Sequence, residues 1–453
     1  MRTAPVARVS SSKSQPRPRL LPLLLGRADR FMAGPVCHPA DSATSARKAR
    51  KLLWLEGLLS NASESFVANF ITPFALACGA TNAQIGGLSS ATNVASAVGL
   101  LPGARLEEHF GCRKSIFMLC TGVFGRLLLL ALALLPLFFH LFGTPGIFYG
   151  LLAIVALRSF LNQLAYPAWS ALVTDLVPES IRGRYFGSRN IAVGLAALVC
   201  TPLAGYLIQH AGTPGGYQVS FGIALATGIV ATVVFGMIQE PKRVCLHEHI
   251  EKPPREIFSL FRRHPHFAAF TGLAFFWHLS LQSAGPFFAV YQMKSLGANV
   301  AHIGILSSIG AFTGMVGQRV WGVQNDRRGA VWVLRITGFL IPAIPAAWAL
   351  IPNWWYLPVI EGVSGFIWAG YWLANFNLLL RMSPDANRSR FVALHQSVVS
   401  VASFIGPVLG GIIVNMVSIK GLFWTSAAGR FGVSLLFLFL IASDRNERQQ
   451  HEA

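Results

Sequence analysis

The chain has 453 residues, of which 53% are hydrophobic and only 12% charged, and its formal net charge is +19. Soluble domains average about 25% charged residues, so this composition argues against a protein that folds in water alone. The six cysteines have no paired spacing, which disfavours a disulfide framework or a zinc site. We therefore predict neither a metal nor a cofactor.

The first 50 residues differ from the rest of the chain. They are rich in Arg, Ser and Pro, and their first acidic residue is Asp29. This composition is typical of a disordered tail, and it also resembles an organelle transit peptide. A third interpretation is a start codon assigned too early, with Met32 as the true start. We interpret residues 1–50 as a basic, disordered tail.

Twelve apolar runs follow, and each is long enough to cross a bilayer, which takes about 20 residues. They lack the in–out alternation of barrel strands, so the predicted class is an all-α membrane protein. In chain order, spans 1 to 12 are residues 53–78, 84–103, 115–139, 145–168, 187–209, 216–238, 266–293, 302–322, 331–351, 355–380, 391–417 and 420–442.

The second half of the chain repeats the first. Residues 79–90 (GATNAQIGGLSS) recur as residues 297–308 (GANVAHIGILSS), and a charged loop follows each copy at the same offset. One repeat of this size in an apolar chain is typical of secondary transporters, which are built from two related halves. We predict two pseudo-symmetric six-helix bundles. Their bounds are residues 51–240 and 266–442, with a cytoplasmic linker at 241–265 and a C-terminal tail at 443–453.

The basic residues lie mainly on one side of these spans. Both chain ends and the loops after spans 2, 4, 6, 8 and 10 carry most of the 37 Lys and Arg, whereas the opposite loops hold Lys294 and Lys420. We name these two sides the basic face and the opposite face. An excess of Lys and Arg marks cytoplasmic loops, so both termini are predicted to be cytoplasmic. Because the charge follows topology, no nucleic-acid partner is predicted.

The loop after span 2, residues 104–114 (ARLEEHFGCRK), is similar to the Gly-x-Leu-x-Asp-Arg-x-Gly-Arg-Arg pattern of the major facilitator superfamily. The match lies at Leu106, Glu108, Gly111 and Arg113. Its repeat after span 8, residues 322–329 (GVQNDRRG), keeps both glycines and the Asp-Arg pair. The resemblance covers about residues 50–445 and implies a fold of 12 transmembrane helices in two bundles.

In that superfamily this loop contacts the opposite half and helps to close the cytoplasmic side. We expect Glu108 to reach the loop of Arg388 and Arg390, and Asp326 to reach the loop of Arg182 and Arg184. The alternative is a solvated turn whose arginines only enforce topology. The predicted gate consists of Glu108, Gly111, Arg113, Lys114, Arg182, Arg184, Asp326, Arg327, Gly329, Arg388 and Arg390.

A charged side chain at the bilayer centre costs at least about 2.5 kcal/mol, so each one is a functional candidate. Glu64 lies about 16 Å into span 1, and Arg158 lies about 20 Å from the outer end of span 4. We predict that Glu64 is the coupling group. The alternative is a Glu64–Arg158 or Glu64–Arg126 pair that only fixes packing.

Other charges also fall within the spans. Arg126 and Arg430 are central, but the resemblance places their spans at the periphery. Glu56 and Arg335 lie near the basic face, where long side chains can extend to the membrane surface, so we set them aside.

The resemblance further implies that spans 1, 4, 7 and 10 line a central cavity. The repeat aligns Glu64 with Gln282, so only one of the two symmetric positions can ionise. The aromatic residues of span 10 are suited either to stacking on a sugar or aromatic ring or to anchoring at the interface. The predicted substrate and ion pathway consists of Asn61, Glu64, Arg158, Asn162, His278, Gln282, Glu361, Trp368, Trp372 and Asn375.

These observations predict a monomeric secondary transporter in the bacterial inner membrane. It would move a small organic solute by alternating access, coupled to protons or another cation. A proton-driven multidrug efflux pump is the rival within transport, and a membrane sensor or scaffold is the rival outside it. The sequence has no GxxxxGK[ST] loop for ATP and no spacing typical of catalytic residues, so an enzyme is not predicted.

Overall fold

A computed structural model describes residues 42–239, 262, 264–382 and 388–452. Every element in these ranges is helical. The helices of the first six spans are α1 (Ser42–Ser65), α2 (Ile71–Ala77), α3 (Asn82–Phe110), α4 (Arg113–Phe117), α5 (Gly125–Leu134), α6 (Phe139–Leu176), α7 (Glu179–Ala211) and α8 (Gly215–Gly236). Those of the last six are α9 (Pro265–Ala284), α10 (Phe287–Lys294), α11 (Val300–Arg328), α12 (Ala330–Leu340), α13 (Ala343–Leu350), α14 (Leu357–Met382), α15 (Arg388–Met416) and α16 (Ile419–Glu452).

The all-α membrane fold is confirmed, and each of the twelve predicted spans is helical. Within the described residues, eight helical segments are long and apolar enough to cross a membrane. Spans 1, 2, 7 and 10 do not reach that standard, so a count of twelve crossings stays a prediction. The predicted tail at 1–50 and the linker at 241–265 fall mostly outside the described residues. The eight segments are Arg113–Phe138, Pro145–Leu176, Gly183–Ala211, Gly215–Gly236, Val300–Arg328, Ala330–Leu350, Phe391–Met416 and Ile419–Leu438.

The repeated sequence forms repeated local structure. Thr81 and Asn299 cap the first turns of α3 and α11, each in a reciprocal capping box with the residue three positions later. At the basic face, Gly111 and Gly329 have φ values of 61° and 84°. A side chain with a Cβ disfavours this left-handed region, so the glycines permit the chain to reverse there.

Spans 1 and 7 are broken at matching depths. Span 1 passes from α1 through a 3₁₀ turn at Ala68–Phe70 into α2. Span 7 is interrupted between α9 and α10, where Pro286 precedes the second helix. Proline removes a backbone donor and cannot continue a regular helix. The two breaks leave irregular backbone inside the bundles, directly after Glu64 in one and after Gln282 in the other.

The two bundles meet through spans 2 and 11 and through spans 5 and 8. Ser90 Oγ donates to the Phe404 carbonyl at 2.8 Å, and Asn93 Nδ2 donates to the Ser403 carbonyl at 2.7 Å. On the other side of the pseudo-twofold axis, Ser308 Oγ lies 3.2 Å from the Leu198 carbonyl. Small and polar residues allow such close helix crossings in membranes.

All three bonds between the bundles lie in the part of the fold nearer the opposite face. Spans 2 and 8 begin there, at residues 82 and 300, and run toward the basic face. The hydrogen bonds described between the bundles are therefore concentrated in the half of the fold nearer the opposite face.

Candidate functional site

Glu64, at the end of α1, contacts Arg158 in α6. Arg158 Nη1 lies 3.3 Å from Glu64 Oε1, and Nη2 makes a second, closer contact with Oε2. A guanidinium that donates two bonds to one carboxylate is among the stronger and more directional polar interactions. The Glu64 side chain keeps 43% of its surface exposed, against 14% for Arg158. Glu64 is thus held by Arg158 on one side and faces open space on the other.

The pair lies beside the irregular backbone of span 1. The Val67 N–H donates to the Glu64 carbonyl at 2.9 Å, and the chain then turns into the short 3₁₀ segment. Broken helices at mid-membrane depth are a feature of transporter binding sites, since they bring free backbone groups close to a solute. The structure therefore places an ionisable group directly beside the break in the same span.

Glu56 is a functional candidate that the sequence analysis set aside incorrectly. It does not extend to the membrane surface but is buried, with 3% exposure. Ser60 donates to Glu56 Oε1 at 2.7 Å, and Arg189 Nη2 lies 3.8 Å from Oε2. The Arg189 guanidinium also lies 5.2 Å from the centre of the Trp169 ring. The spacing of residues along the sequence does not predict this cluster, because Glu56 and Arg189 belong to different spans.

The two asparagines of the predicted pathway differ in their surroundings. Asn61 Nδ2 donates to the Val193 carbonyl at 2.7 Å and so fixes α1 against α7. Asn162 lies one turn beyond Arg158, is exposed, and has no hydrogen bond among the described residues. Its amide is therefore available to a solute beside the Glu64–Arg158 pair.

The predicted polar residues of span 7 are mostly engaged within the protein. His278 is buried, and its Nδ1 lies 2.9 Å from the Ala274 carbonyl of the same helix. Gln282 packs beside Gly406 of span 11. The structure therefore does not bring these two side chains to Glu64.

The aromatic residues of span 10 form one cluster with span 7. Trp368 stacks on Trp372 with ring centres 5.9 Å apart, and Tyr371 stacks on Trp277 at 5.1 Å. Trp372 is 52% exposed, whereas Tyr371 and Trp277 are buried. The cluster offers a flat aromatic surface at Trp372 that is supported by buried rings. Asn375, one turn beyond Tyr371, lines a separate cavity within the C-terminal bundle.

Glu361 of span 10 has no charged or hydrogen-bonding partner among the described residues. Its Oε2 lies near Gly310 of span 8, where an added Cβ would be 3.5 Å away. Glu361 belongs to the C-terminal bundle and does not share a contact with Glu64.

The loop after span 2 ties together the basic ends of the N-terminal bundle. Arg113 forms ion pairs with Glu107 of α3 and Asp175 of α6. Lys114 Nζ donates to the Gly236 carbonyl at the end of α8 at 2.7 Å. The acid that Arg113 reaches is Glu107, not the Glu108 that the motif match emphasised. Arg113 and Lys114 therefore stabilise one bundle in this conformation.

The predicted pairing of the remaining gate residues stays a prediction. Glu108, Arg184, Asp326 and Arg327 are exposed, and neither acid has an ion pair among the described residues. The side chains of Arg182, Arg388 and Arg390 lie outside the described residues.

Two related bundles of long, apolar helices, packed against each other and holding an ion pair beside a broken span, define a polytopic membrane transporter. The Major Facilitator Superfamily profile matches residues 53–284 and 273–453. The chain belongs to the Major Facilitator Superfamily. It is accordingly an integral membrane transporter of a small-molecule substrate and not an enzyme.

The chain is similar to two named relatives. The multi-drug resistance efflux pump PmrA of Streptococcus pneumoniae is 24% identical over 393 residues, which cover 83% of this chain and 92% of that protein. The multidrug resistance protein MdtG of Dickeya zeae is 25% identical over 177 residues, covering 38% and 41% of the two chains.

Two solved structures show the same fold. A bacterial homologue of the iron transporter ferroportin, in an inward-facing state, has a TM-score of 0.69 at 16% identity and covers 86% of this chain and 98% of its own. The nucleoside transporter NupG has a TM-score of 0.67 at 13% identity and covers 87% of this chain and 99% of its own. At these identities the likeness describes fold alone.

Proposed function

We propose that the protein is a secondary active transporter that couples proton movement to the movement of a small organic solute by alternating access. The observation that carries this proposal is the Glu64–Arg158 pair, which is exposed on one side and lies beside the break in span 1. Ionisable groups at this depth are expensive to keep, so they are retained for a function more often than for packing.

The chemistry follows from what a proton does to the pair. A proton on Glu64 removes the carboxylate charge and with it most of the attraction for Arg158. Arg158 is then free to bind an acceptor group of the solute, and Asn162, one turn away, can add a hydrogen bond. Loss of the proton restores the ion pair and displaces the solute. The Glu64 carboxylate and the solute thus compete for Arg158, so binding of the proton favours binding of the solute, which is the linkage that coupled transport requires.

The gate proposed from the sequence completes the cycle. Closure of the basic face would bring Asp326 to Arg184 and its loop, and Glu108 to the loop of Arg388 and Arg390. Repeat-related bundles move largely as rigid bodies around a fixed midplane site. Glu108, Arg184 and Asp326 are exposed, so their charges are available for pairing.

Reconstituted protein tests the coupling. A thermal-shift screen against a metabolite and drug library, at two pH values, first identifies a solute. We then expect Glu64→Gln to lose accumulation driven by a pH gradient but to retain downhill exchange of that solute. Glu64→Asp keeps a carboxyl group and serves as the matched control. Unchanged gradient-driven accumulation in Glu64→Gln would remove Glu64 as the coupling residue.

Multidrug export is the second candidate, and the exposed face of Trp372 favours it. A flat aromatic surface binds many planar organic cations without specific hydrogen bonds, and the two named relatives are multidrug resistance proteins. We expect Trp372→Ala to reduce ethidium efflux and Trp355→Ala to leave it unchanged. Trp355 is an equally large, exposed residue in the 3₁₀ turn Trp354–Tyr356 that precedes α14, so it controls for general loss of aromatic surface.

We further propose that the protein acts as a monomer in the bacterial inner membrane with its basic face in the cytoplasm. The asymmetry of Lys and Arg supports this orientation. A single cysteine at position 420 should react with an impermeant maleimide added outside intact cells, and one at position 327 should not. The reverse pattern contradicts the orientation.

A further inference from the structure

A cavity lies inside the C-terminal bundle, away from the Glu64–Arg158 pair. Its lining residues belong to spans 7, 9, 10 and 12. Arg335 lines the cavity and is the sixth residue of α12, which starts at the basic face. This part of the cavity therefore lies within about 9 Å of that end of the helix. The polar and aromatic residues of its lining are Trp277, Arg335, Tyr371, Asn375 and Ser434.

Donor groups around this cavity lack acceptors. Arg430 of α16 is 1% exposed, and neither its Nε nor its Nη2 has a hydrogen-bond partner. The Nε of Arg335 is likewise buried without a partner. Arg430 lies one turn before Ser434, which lines the cavity, so the buried Arg430 charge is close to the cavity wall.

Among the described residues of the C-terminal bundle, no carboxylate pairs with these arginines. From residue 266 to residue 442 its acidic residues are Asp326, Glu361 and Asp385. Asp326 is exposed at the end of α11, and Glu361 lies about 15 Å along α14 from Tyr371. Asp385 is outside the described residues. A buried charge is normally paired, so a bound anion would supply the acceptor that these donors lack.

The N-terminal bundle makes the contrast clear. There Arg158 has Glu64, Arg189 has Glu56, and Arg113 has Glu107. The same fold in the first half of the chain therefore neutralises these arginines internally, whereas the second half leaves Arg335 and Arg430 with free donors beside a cavity.

We propose that this cavity binds an anionic amphiphile, with its carboxylate or phosphate head at Arg335, which lines the cavity. The apolar body would lie among Phe270, Leu273 and Phe339, which form much of the remaining wall. A guanidinium suits both head groups because its planar fork donates two parallel bonds. Such a ligand comes either from a membrane phospholipid or from a free fatty acid. The site is separate from the proposed transport pathway and does not depend on proton coupling.

Ligand-dependent thermal stabilisation of delipidated full-length protein in detergent tests the proposal. The probes are oleate, dioleoylphosphatidylglycerol and, as the neutral control, oleyl alcohol. We expect at least one anionic probe to raise the Tm, because a ligand that binds only the folded state stabilises it. Arg335→Gln should weaken the apparent affinity at least about tenfold, the effect of losing one charge-assisted hydrogen bond. Arg381→Gln should not weaken the affinity, since Arg381 is exposed at the basic end of α14 and does not line the cavity.

A shift with phosphatidylglycerol alone identifies a membrane lipid, and a shift with oleate alone identifies a soluble anion. The proposal fails if neither anionic probe shifts the Tm or if oleyl alcohol shifts it equally. It also fails if Arg381→Gln weakens binding as much as Arg335→Gln. Arg430→Met provides a second variant that removes the buried charge. If that variant does not fold, Arg335→Gln and its control still decide the outcome.

Discussion

Gly86 of span 2 lies directly against the backbone carbonyl of Pro407 in span 11. A Cβ built at Gly86 would collide with that oxygen, and the neighbouring Gly411 is also close. The related contact on the other side of the fold places Gly304 against the Thr201 carbonyl, where a Cβ would be 2.7 Å away. These two crossings hold the bundles together at the opposite face.

The first prediction is that Gly86→Val destabilises closure of the opposite face. Forced overpacking costs about 1–3 kcal/mol, which shifts a conformational equilibrium by about 5- to 150-fold. Cysteine accessibility from each side of the membrane measures that shift. Gly87→Val is the matched control, because a Cβ at Gly87 meets nothing within 4 Å. Equal effects of the two substitutions would show that the crossing does not set the equilibrium.

The second prediction concerns the pair between spans 1 and 4. Arg158→Gln should lower the free energy of unfolding by up to about 1.5–3 kcal/mol, the range for hydrogen bonds to charged groups. The partial exposure of Glu64 places the effect at the lower end. The double variant with Glu64→Gln should lose less than the sum of the single losses. Thermal unfolding of the four proteins measures the coupling, and strict additivity would argue against a direct interaction.

The third prediction concerns the buried acid of span 1. Arg189→Met should destabilise the protein by about 3–5 kcal/mol, because it leaves Glu56 buried without its counter-charge. Adding Glu56→Gln should recover much of that loss. Arg184→Met, an exposed arginine of the same helix, should change stability by no more than about 0.5 kcal/mol. A similar melting temperature for Arg184→Met and Arg189→Met is the contradicting result.

The fourth prediction addresses the gate at the basic face. Asp326→Arg should slow transport, and a second substitution, Arg184→Asp, should restore part of the rate. Thermal stability should change little, since exposed ion pairs contribute only about 0–1 kcal/mol. Uptake by the single and double variants in proteoliposomes measures the effect. Absence of rescue would mean that these two residues do not pair in the closed conformation.

Several sequence predictions agree with the structure because their causes are local. The glycines at 111 and 329 both adopt positive φ, as a reversal between two helices requires. The helical rise alone predicts that Glu64 and Arg158 lie at similar depth, and in the structure the two side chains are in contact. The prediction for Glu56 failed for the opposite reason. Its position along the span correctly predicts that Glu56 lies near the basic face. The rotation of α1 about its axis, which the sequence does not give, directs the side chain toward Arg189 and not toward the membrane surface.

The sequence by itself determined that this protein is a helical membrane protein with two related halves, one basic face and few charges within its spans. Apolar length, the repeat and the distribution of Lys and Arg are properties of the chain that need no tertiary contact. Only the tertiary structure decided which charges pair, that Arg430 has no ion pair among the described residues, and where the two bundles meet. In a helix that is apolar nearly all round, the pattern does not define a rotation. The partners of a buried charge therefore depend on how neighbouring helices pack.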